Sequence, residues 1–217
     1  MSLATRYSAR GKIVGGTTML VTNGSKISAE YLAQFVGILD WVTVSIDSMN
    51  AVTNKESGRA GTGRLFTENE YTKMCRLIKE QGFRLKINTV VHKLNYKEII
   101  TPFISKARPE RWKVFKVLPI IGQNTSTIGG LEINEEEFQY FIKHNSDLSL
   151  GIKMVVEDNN VMTNSYLMID PAGRFFDNTK GYYVYSEHLH KIGIDKALSQ
   201  INYDYDKFVL RNGFYNW

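Results

Sequence analysis

Polar and apolar residues alternate with period two over three separate stretches of the chain. Arg111 to Leu118 (RWKVFKVL) puts Arg111, Lys113, Phe115 and Val117 on one face of a strand and Trp112, Val114, Lys116 and Leu118 on the other. In Phe83 to Val90 (FRLKINTV), Arg84, Lys86 and Asn88 oppose Phe83, Leu85, Ile87 and Thr89; in Trp41 to Asp47 (WVTVSID), Thr43, Ser45 and Asp47 oppose Val42, Val44 and Ile46. A shorter strand is predicted at Thr17 to Thr22 (TTMLVT), followed at once by Asn23-Gly24-Ser25. Helical spacing fills the intervals. Ser28 caps a helix through Tyr31, Leu32, Phe35 and Val36, and the capping box Thr67-Glu68-Asn69-Glu70 opens one through Met74, Leu77 and Ile78 that stops near Gly82. A third helix is predicted from about Tyr96 to Lys106, and a fourth from Asn134 and Glu137 through Phe138, Phe141 and Ile142.

Alternation alone would suit a solvated antiparallel sheet, but helices between the strands predict a parallel one with its apolar face covered. The polar faces must then look into a shared space, which in a barrel is the lumen. Lys, Arg, Ser and Asn lining such a space suit an anion, because buried cations are costly unless partnered. Catalytic residues in barrels of this kind gather at the C-terminal ends of the strands.

Beyond Asp147 the rhythm changes. Ser165 to Asp170 (SYLMID), Pro171-Ala172-Gly173 and Arg174 to Asp177 (RFFD) predict a hairpin, and helices follow near Gly193 to Gln200 and Asp204 to Leu210. The predicted organisation is α/β: about four βα units over residues 1–147, then a small α/β cap over 148–217.

At 217 residues the length suits one sizeable domain, and a formal charge of +5 fits a phosphorylated small molecule or RNA equally well. No apolar run reaches about 18 residues and no leader pattern precedes the first strand, so the expected location is the cytoplasm, with no membrane span. Met1-Ser2-Leu3 reads as a cloning leader or as a natural start, with nothing in composition to choose between them. The one cysteine, Cys75, falls inside a helix and is expected to be packed, leaving no internal disulfide and no Cys-based cluster site. Gly58-Arg59-Ala60-Gly61-Thr62-Gly63, within a polar loop from Asp47 to Leu65, is either a flexible connection or a place where backbone approaches a ligand and Arg59 meets a carboxylate or phosphate. Its spacing is not a dinucleotide fingerprint. His188 and His190 read as a solvated turn, so no metal is expected. From the residues alone the chain is a binder of a small anionic ligand; single-stranded RNA suits it less, since the cations sit in a lumen and not on an aromatic-studded face, and DNA is not expected.

The segments VTNGSKIS, VSIDSMN, SGRAGTG, LKINTVVHKLN, RWKVFKVLPI and NSYLMIDPAGRFFDN resemble, in order and spacing, the viperin-like radical S-adenosylmethionine enzymes, from about Thr17 to Trp217. RWKVF and NSYLMID are the distinctive ones. The resemblance implies a partial TIM-like (βα)6 barrel of the radical S-adenosylmethionine type and a C-terminal extension covering a nucleotide site. It implies S-adenosylmethionine and a [4Fe-4S] cluster as cofactors. A radical takes the 4' hydrogen of a nucleoside triphosphate, CTP or UTP, and loss of water leaves the 3'-deoxy-3',4'-didehydro product. By resemblance, Asn23, Ser45 and Arg59 fall on the S-adenosylmethionine side, Lys86, Asn88, Arg111 and Lys113 hold the triphosphate, and Tyr166 lies near the nucleotide as a catalytic candidate.

The chain departs from the family in having neither the Cys-x3-Cys-x2-Cys motif nor a Gly-Gly-Glu segment, since Gly15-Gly16 is followed by Thr17. By itself it is expected to bind no cluster and to be inactive. The expectation is a barrel truncated before its first strands, with a bare edge at Thr17 to Thr22 that favours self-association. The alternative is a non-catalytic domain that binds nucleotides or a partner.

Overall fold

The computed structural model describes residues 15–59, 65–146, 151–211 and 213. Met1-Ser2-Leu3, Gly61 and Gly63 of the glycine loop, and the division at 147/148 lie outside the described residues. In chain order the first layer is β1 (Met19–Thr22), α1 (Ala29–Ala33), β2 (Trp41–Ser45), α2 (Ala51–Glu56), α3 (Glu68–Glu80), β3 (Arg84–Val91), α4 (Thr101–Ala107), β4 (Arg111–Lys116), α5 (Glu135–Asn145) and β5 (Lys153–Glu157). Among the described residues the five strands form one parallel sheet in sequential order with β1 and β5 at its two ends, an open partial barrel. The sheet runs on past residue 147: β5, unnamed in the sequence reading, adds a strand to the about four βα units expected.

The apolar face is covered as the alternation requires. Val42, Val44, Ile46, Leu85, Ile87, Trp112 and Val114 pack against Leu32 and Phe35 on one side of the layer and Tyr71, Met74, Cys75, Ile78, Phe103, Phe138 and Phe141 further along. Trp112 meets Phe141 edge to face at 6.4 Å. Thr89, polar on this face, is satisfied there: it accepts from Trp112 Nε1 at 3.0 Å and donates to the Ile46 carbonyl at 2.7 Å. Cys75 is buried in this core, and burial pushes its thiol up to about 12, which removes the thiolate at neutral pH.

The caps form as read. Ser28 accepts from Tyr31 N, and Thr67 and Glu70 make a reciprocal box at 3.3 and 2.9 Å. Thr67→Ala is expected to lower the unfolding free energy by about 1 kcal/mol, read from the midpoint of a urea titration. Elsewhere local chemistry changes the picture. The loop from Asp47 contains α2, because Asn50 caps it by accepting from Val52 N at 2.9 Å. The third helix starts at Thr101 and not at Tyr96: Asn145 accepts from Ile100 N and Thr101 Oγ1, and Pro102 fits only a first turn.

After β5 come α6 (Asn159–Met162), β6 (Met168–Ile169), β7 (Arg174–Asp177), β8 (Val184–His188), α7 (Leu189–Ile192), α8 (Ile194–Leu198) and α9 (Tyr205–Leu210). The predicted hairpin is β6–β7, and β8 makes it a three-stranded antiparallel sheet. The helix expected over Gly193 to Gln200 is α8 at Ile194–Leu198; α7 precedes it unannounced, and the two are separated at Gly193, whose φ of +83° only glycine adopts without strain. Among the described residues no helix is long and apolar enough to cross a membrane.

Candidate active site

Strand register turns the polar faces into rows. Thr43 on β2 lies opposite Lys86 on β3, and Lys86 opposite Arg111 on β4. One step further along, Ser45, Asn88 and Lys113 form the next row, and beyond it Phe115 faces Glu157 at the end of β5. Neighbouring strands stand about 4.8 Å apart, so three cations from two strands are forced into one small space. All three are buried, Lys113 to 2% exposure. Thr43 Oγ1 and Asn88 Oδ1, in the same two rows, are buried with no hydrogen-bond partner. Such atoms are costly unless a ligand or water completes them.

Glu157, fully buried, meets this cluster from the edge strand. Lys113 Nζ and Tyr166 Oη both donate to its carboxylate, and Arg211 Nη1 approaches at 3.4 Å. Arg211 also donates to the Ser165 carbonyl from Nε and Nη2 at 3.2 and 2.9 Å, and its guanidinium lies 3.7 Å over the Tyr166 ring. Burial, reinforced by Lys113 and Arg111, pulls Lys86 down to about 7. Burial pulls Lys113 down to about 8, against the opposing pull of Glu157. Among the described residues four cations gather near one carboxylate in a place sheltered from water, an arrangement that suits a polyanion.

A second pocket opens at the C-terminal ends of β1 and β2, lined by Asn23, Ser45, Asn54, Arg59, Phe66 and Tyr71. Asn23, Ser45 and Arg59, assigned by resemblance to one ligand, therefore do converge. Arg59 Nε is paired with buried Asp47, whose other oxygen accepts from Val90 N at 2.8 Å. Asn54 was missed in the sequence: it donates to the Ser48 carbonyl at 2.9 Å and leaves Oδ1 buried without a partner. An Arg, a hydroxyl and a spare amide oxygen fit the carboxylate, ribose and ammonium chemistry of S-adenosylmethionine. Ser45 belongs both to this pocket and to the row of Asn88 and Lys113, so the two sites are contiguous.

The structure places Lys86, Asn88, Arg111, Lys113 and Tyr166 in one cluster. Glu157 and Arg211 belong to it and were not anticipated. Glu157 carried a faint signal in the alternation of Lys153 to Glu157; Arg211, capping the end of the short helix α9, carried none. For a [4Fe-4S] cluster the residues do not fit: the chain holds one cysteine, buried in the opposite layer with its thiol protonated. His188 and His190 have rings 5.3 Å apart with His188 Nδ1 3.1 Å from the Ala172 carbonyl, and no group of three metal-type side chains occurs among the described residues.

No family model matches the chain. An S-adenosylmethionine-dependent nucleotide dehydratase of Flammeovirga pacifica is 46% identical over 208 residues, 96% of this chain and 71% of that protein. One from Lacinutrix mariniflava is also 46% identical, over 95% of this chain, but the match takes in only 43% of its own length. The chain thus spans from under half to about seven-tenths of the relatives it matches. Among solved structures, Streptococcus suis SuiB bound to S-adenosylmethionine shares the fold, with a TM-score of 0.51 over 71% of this chain and 37% of that one at 16% identity. With an open parallel sheet of the radical S-adenosylmethionine type and near-half identity along almost its whole length, the chain belongs to the viperin-like S-adenosylmethionine-dependent nucleotide dehydratases.

Proposed function

We propose that this chain holds a pyrimidine nucleoside triphosphate, CTP or UTP, for conversion to its 3'-deoxy-3',4'-didehydro form. The observation that carries this reading is the buried pairing of Lys86, Arg111 and Lys113 in adjacent register rows. A triphosphate brings about four negative charges, and fixed cations both bind it and orient its sugar. Arg111 forks onto two oxygens, while each lysine acts as a point charge. Thr43 Oγ1 donates to a phosphate oxygen and Asn88 Oδ1 accepts from a sugar hydroxyl, while Tyr166 Oη donates to Glu157 and accepts from Lys113 at the edge of the site. In the adjoining pocket, Arg59 takes the carboxylate of S-adenosylmethionine, and Asn23, Ser45 and Asn54 take its remaining polar groups. When bound there, S-adenosylmethionine would supply the hydrogen-abstracting chemistry of the family only once an electron reaches it from a cluster, which this chain's own residues do not fit to hold. The shared row through Ser45 sets the nucleotide sugar beside it.

The single cysteine favours a second reading, a domain that binds the nucleotide without turning it over. Calorimetric titration of the purified chain with CTP, UTP, ATP and GTP tests both. Micromolar binding of a pyrimidine nucleotide, weakened by Arg111→Ala, is the expected result; heat with none of the four would sink the nucleotide reading. Because the residues do not fit a cluster, no didehydro nucleotide is expected from the chain given iron, sulfide, reductant and S-adenosylmethionine; its formation would eliminate the non-catalytic alternative.

A further inference from the structure

Glu157 poses a problem for an anion site. Its carboxylate is fully buried and stands among the cations meant for the ligand, where it repels a phosphate. A buried carboxylate is retained only where its oxygens are filled, and here donors arrive from three separate parts of the chain. Lys113 reaches it from β4, Tyr166 from the segment between α6 and β6, and Arg211 from the end of α9. The Tyr166 ring is held in turn, with the Arg211 guanidinium 3.7 Å and the Lys113 ammonium 5.7 Å from its centre.

We propose that Glu157 is a positioning residue that fixes Lys113 Nζ and the Tyr166 hydroxyl at one point and ties the C-terminal helix, through Arg211, to the nucleotide cluster. The part concerning the nucleotide rests on the function proposed above; the part concerning Lys113 and Tyr166 does not. A freely rotating lysine finds many phosphate geometries, whereas a tethered one offers a single geometry and gives up less entropy on binding. The tether also acts on charge. Lys113 faces Arg111 on its own strand, Lys86 across β3 and Arg211 from α9, all of which disfavour its ammonium form; Glu157 alone among these neighbours favours it. Removing that negative charge should therefore release the Lys113 proton at lower pH.

The test is an NMR titration of the Lys113 side chain, assigned by its loss in Lys113→Arg, in the native protein and in Glu157→Gln. The Gln variant loses the charge but keeps the shape and one acceptor oxygen for Lys113 and Arg211, with the Tyr166 hydroxyl accepting from its amide instead of donating. Its Lys113 midpoint is expected to fall by about one pH unit or more, and Glu157→Asp to restore much of the difference. An unchanged midpoint in Glu157→Gln overturns the proposal. So do Lys113 ammonium protons that exchange as fast as those of a surface lysine in the native chain, a reading that stands even if Glu157→Gln fails to fold. In the same variants, CTP affinity is expected to drop about tenfold more at about pH 8.5 than at about pH 6.5 in Glu157→Gln relative to native. A shifted Lys113 midpoint in a native chain that binds no nucleotide would sink the nucleotide reading while leaving the positioning of Lys113 in place.

Discussion

Lys113→Ala is expected to weaken CTP or UTP binding by about 100-fold, the cost of losing one preorganised charge donor in a sheltered site. The same substitution is expected to lower the unfolding free energy by about 3 kcal/mol, because breaking a buried pair strands its partner. The partner here is Glu157, with no exposed surface. Arg211 and Tyr166 remain on that carboxylate, which places the loss toward the lower end for such pairs. The two effects separate in the double variant Lys113→Met/Glu157→Gln. With neither charge buried, stability should return most of the way, while nucleotide affinity should not. Urea unfolding and calorimetry on the single and double variants provide both readouts. Native-like affinity in the double variant would remove Lys113 from the nucleotide site and leave it a structural ion pair.

Nucleotide affinity is expected to fall as pH rises from about 7 to about 9, while the stability of the free chain rises over the same interval. Both signs follow from the lowered lysines. Lys86 loses its proton near 7 in the folded chain and Lys113 near 8, whereas in the unfolded chain both hold theirs to the ordinary lysine range. Between those limits the unfolded state binds more protons, so stability increases with pH. The free protein is relieved of crowded cations as they discharge. Bound phosphate reverses the preference by favouring the ammonium form, so binding above about pH 7 must take up protons, at up to about tenfold in affinity per pH unit for each lysine concerned. Calorimetry in buffers of differing ionisation heat counts those protons directly. Affinity that stays level from about pH 6.5 to 9, with no proton uptake, would show that neither lysine faces the phosphates.

The elements that emerged from the sequence are those with strong local causes. Period-two alternation located β2, β3 and β4 to within two residues at either end, and side-chain caps located α1, α3 and α5. The cation-bearing faces were legible for the same reason: Lys86 with Asn88, and Arg111 with Lys113, are two apart on strands whose opposite face is mainly apolar. Where elements were missed or displaced, a distant partner had decided. Asn145 on α5 sets the start of α4 by accepting from Ile100 N and Thr101 Oγ1, and β5 needs β4 beside it before Lys153 to Glu157 becomes a strand.

The chain's own order of residues therefore determined that a basic, polar face would look away from a helix-covered core, and its motifs determined the family. Which cation stands beside which was decided by the register of parallel strands joined through helices, a geometry no local window contains. Tertiary structure alone brought Glu157 to Lys113 and Arg211 to Tyr166, 44 and 45 positions apart in sequence, and so settled how a cluster of buried cations is held together. The physical reason is that charge acts through space: a buried ammonium is stabilised by whatever anion lies within a few ångströms, however far along the chain that anion was encoded.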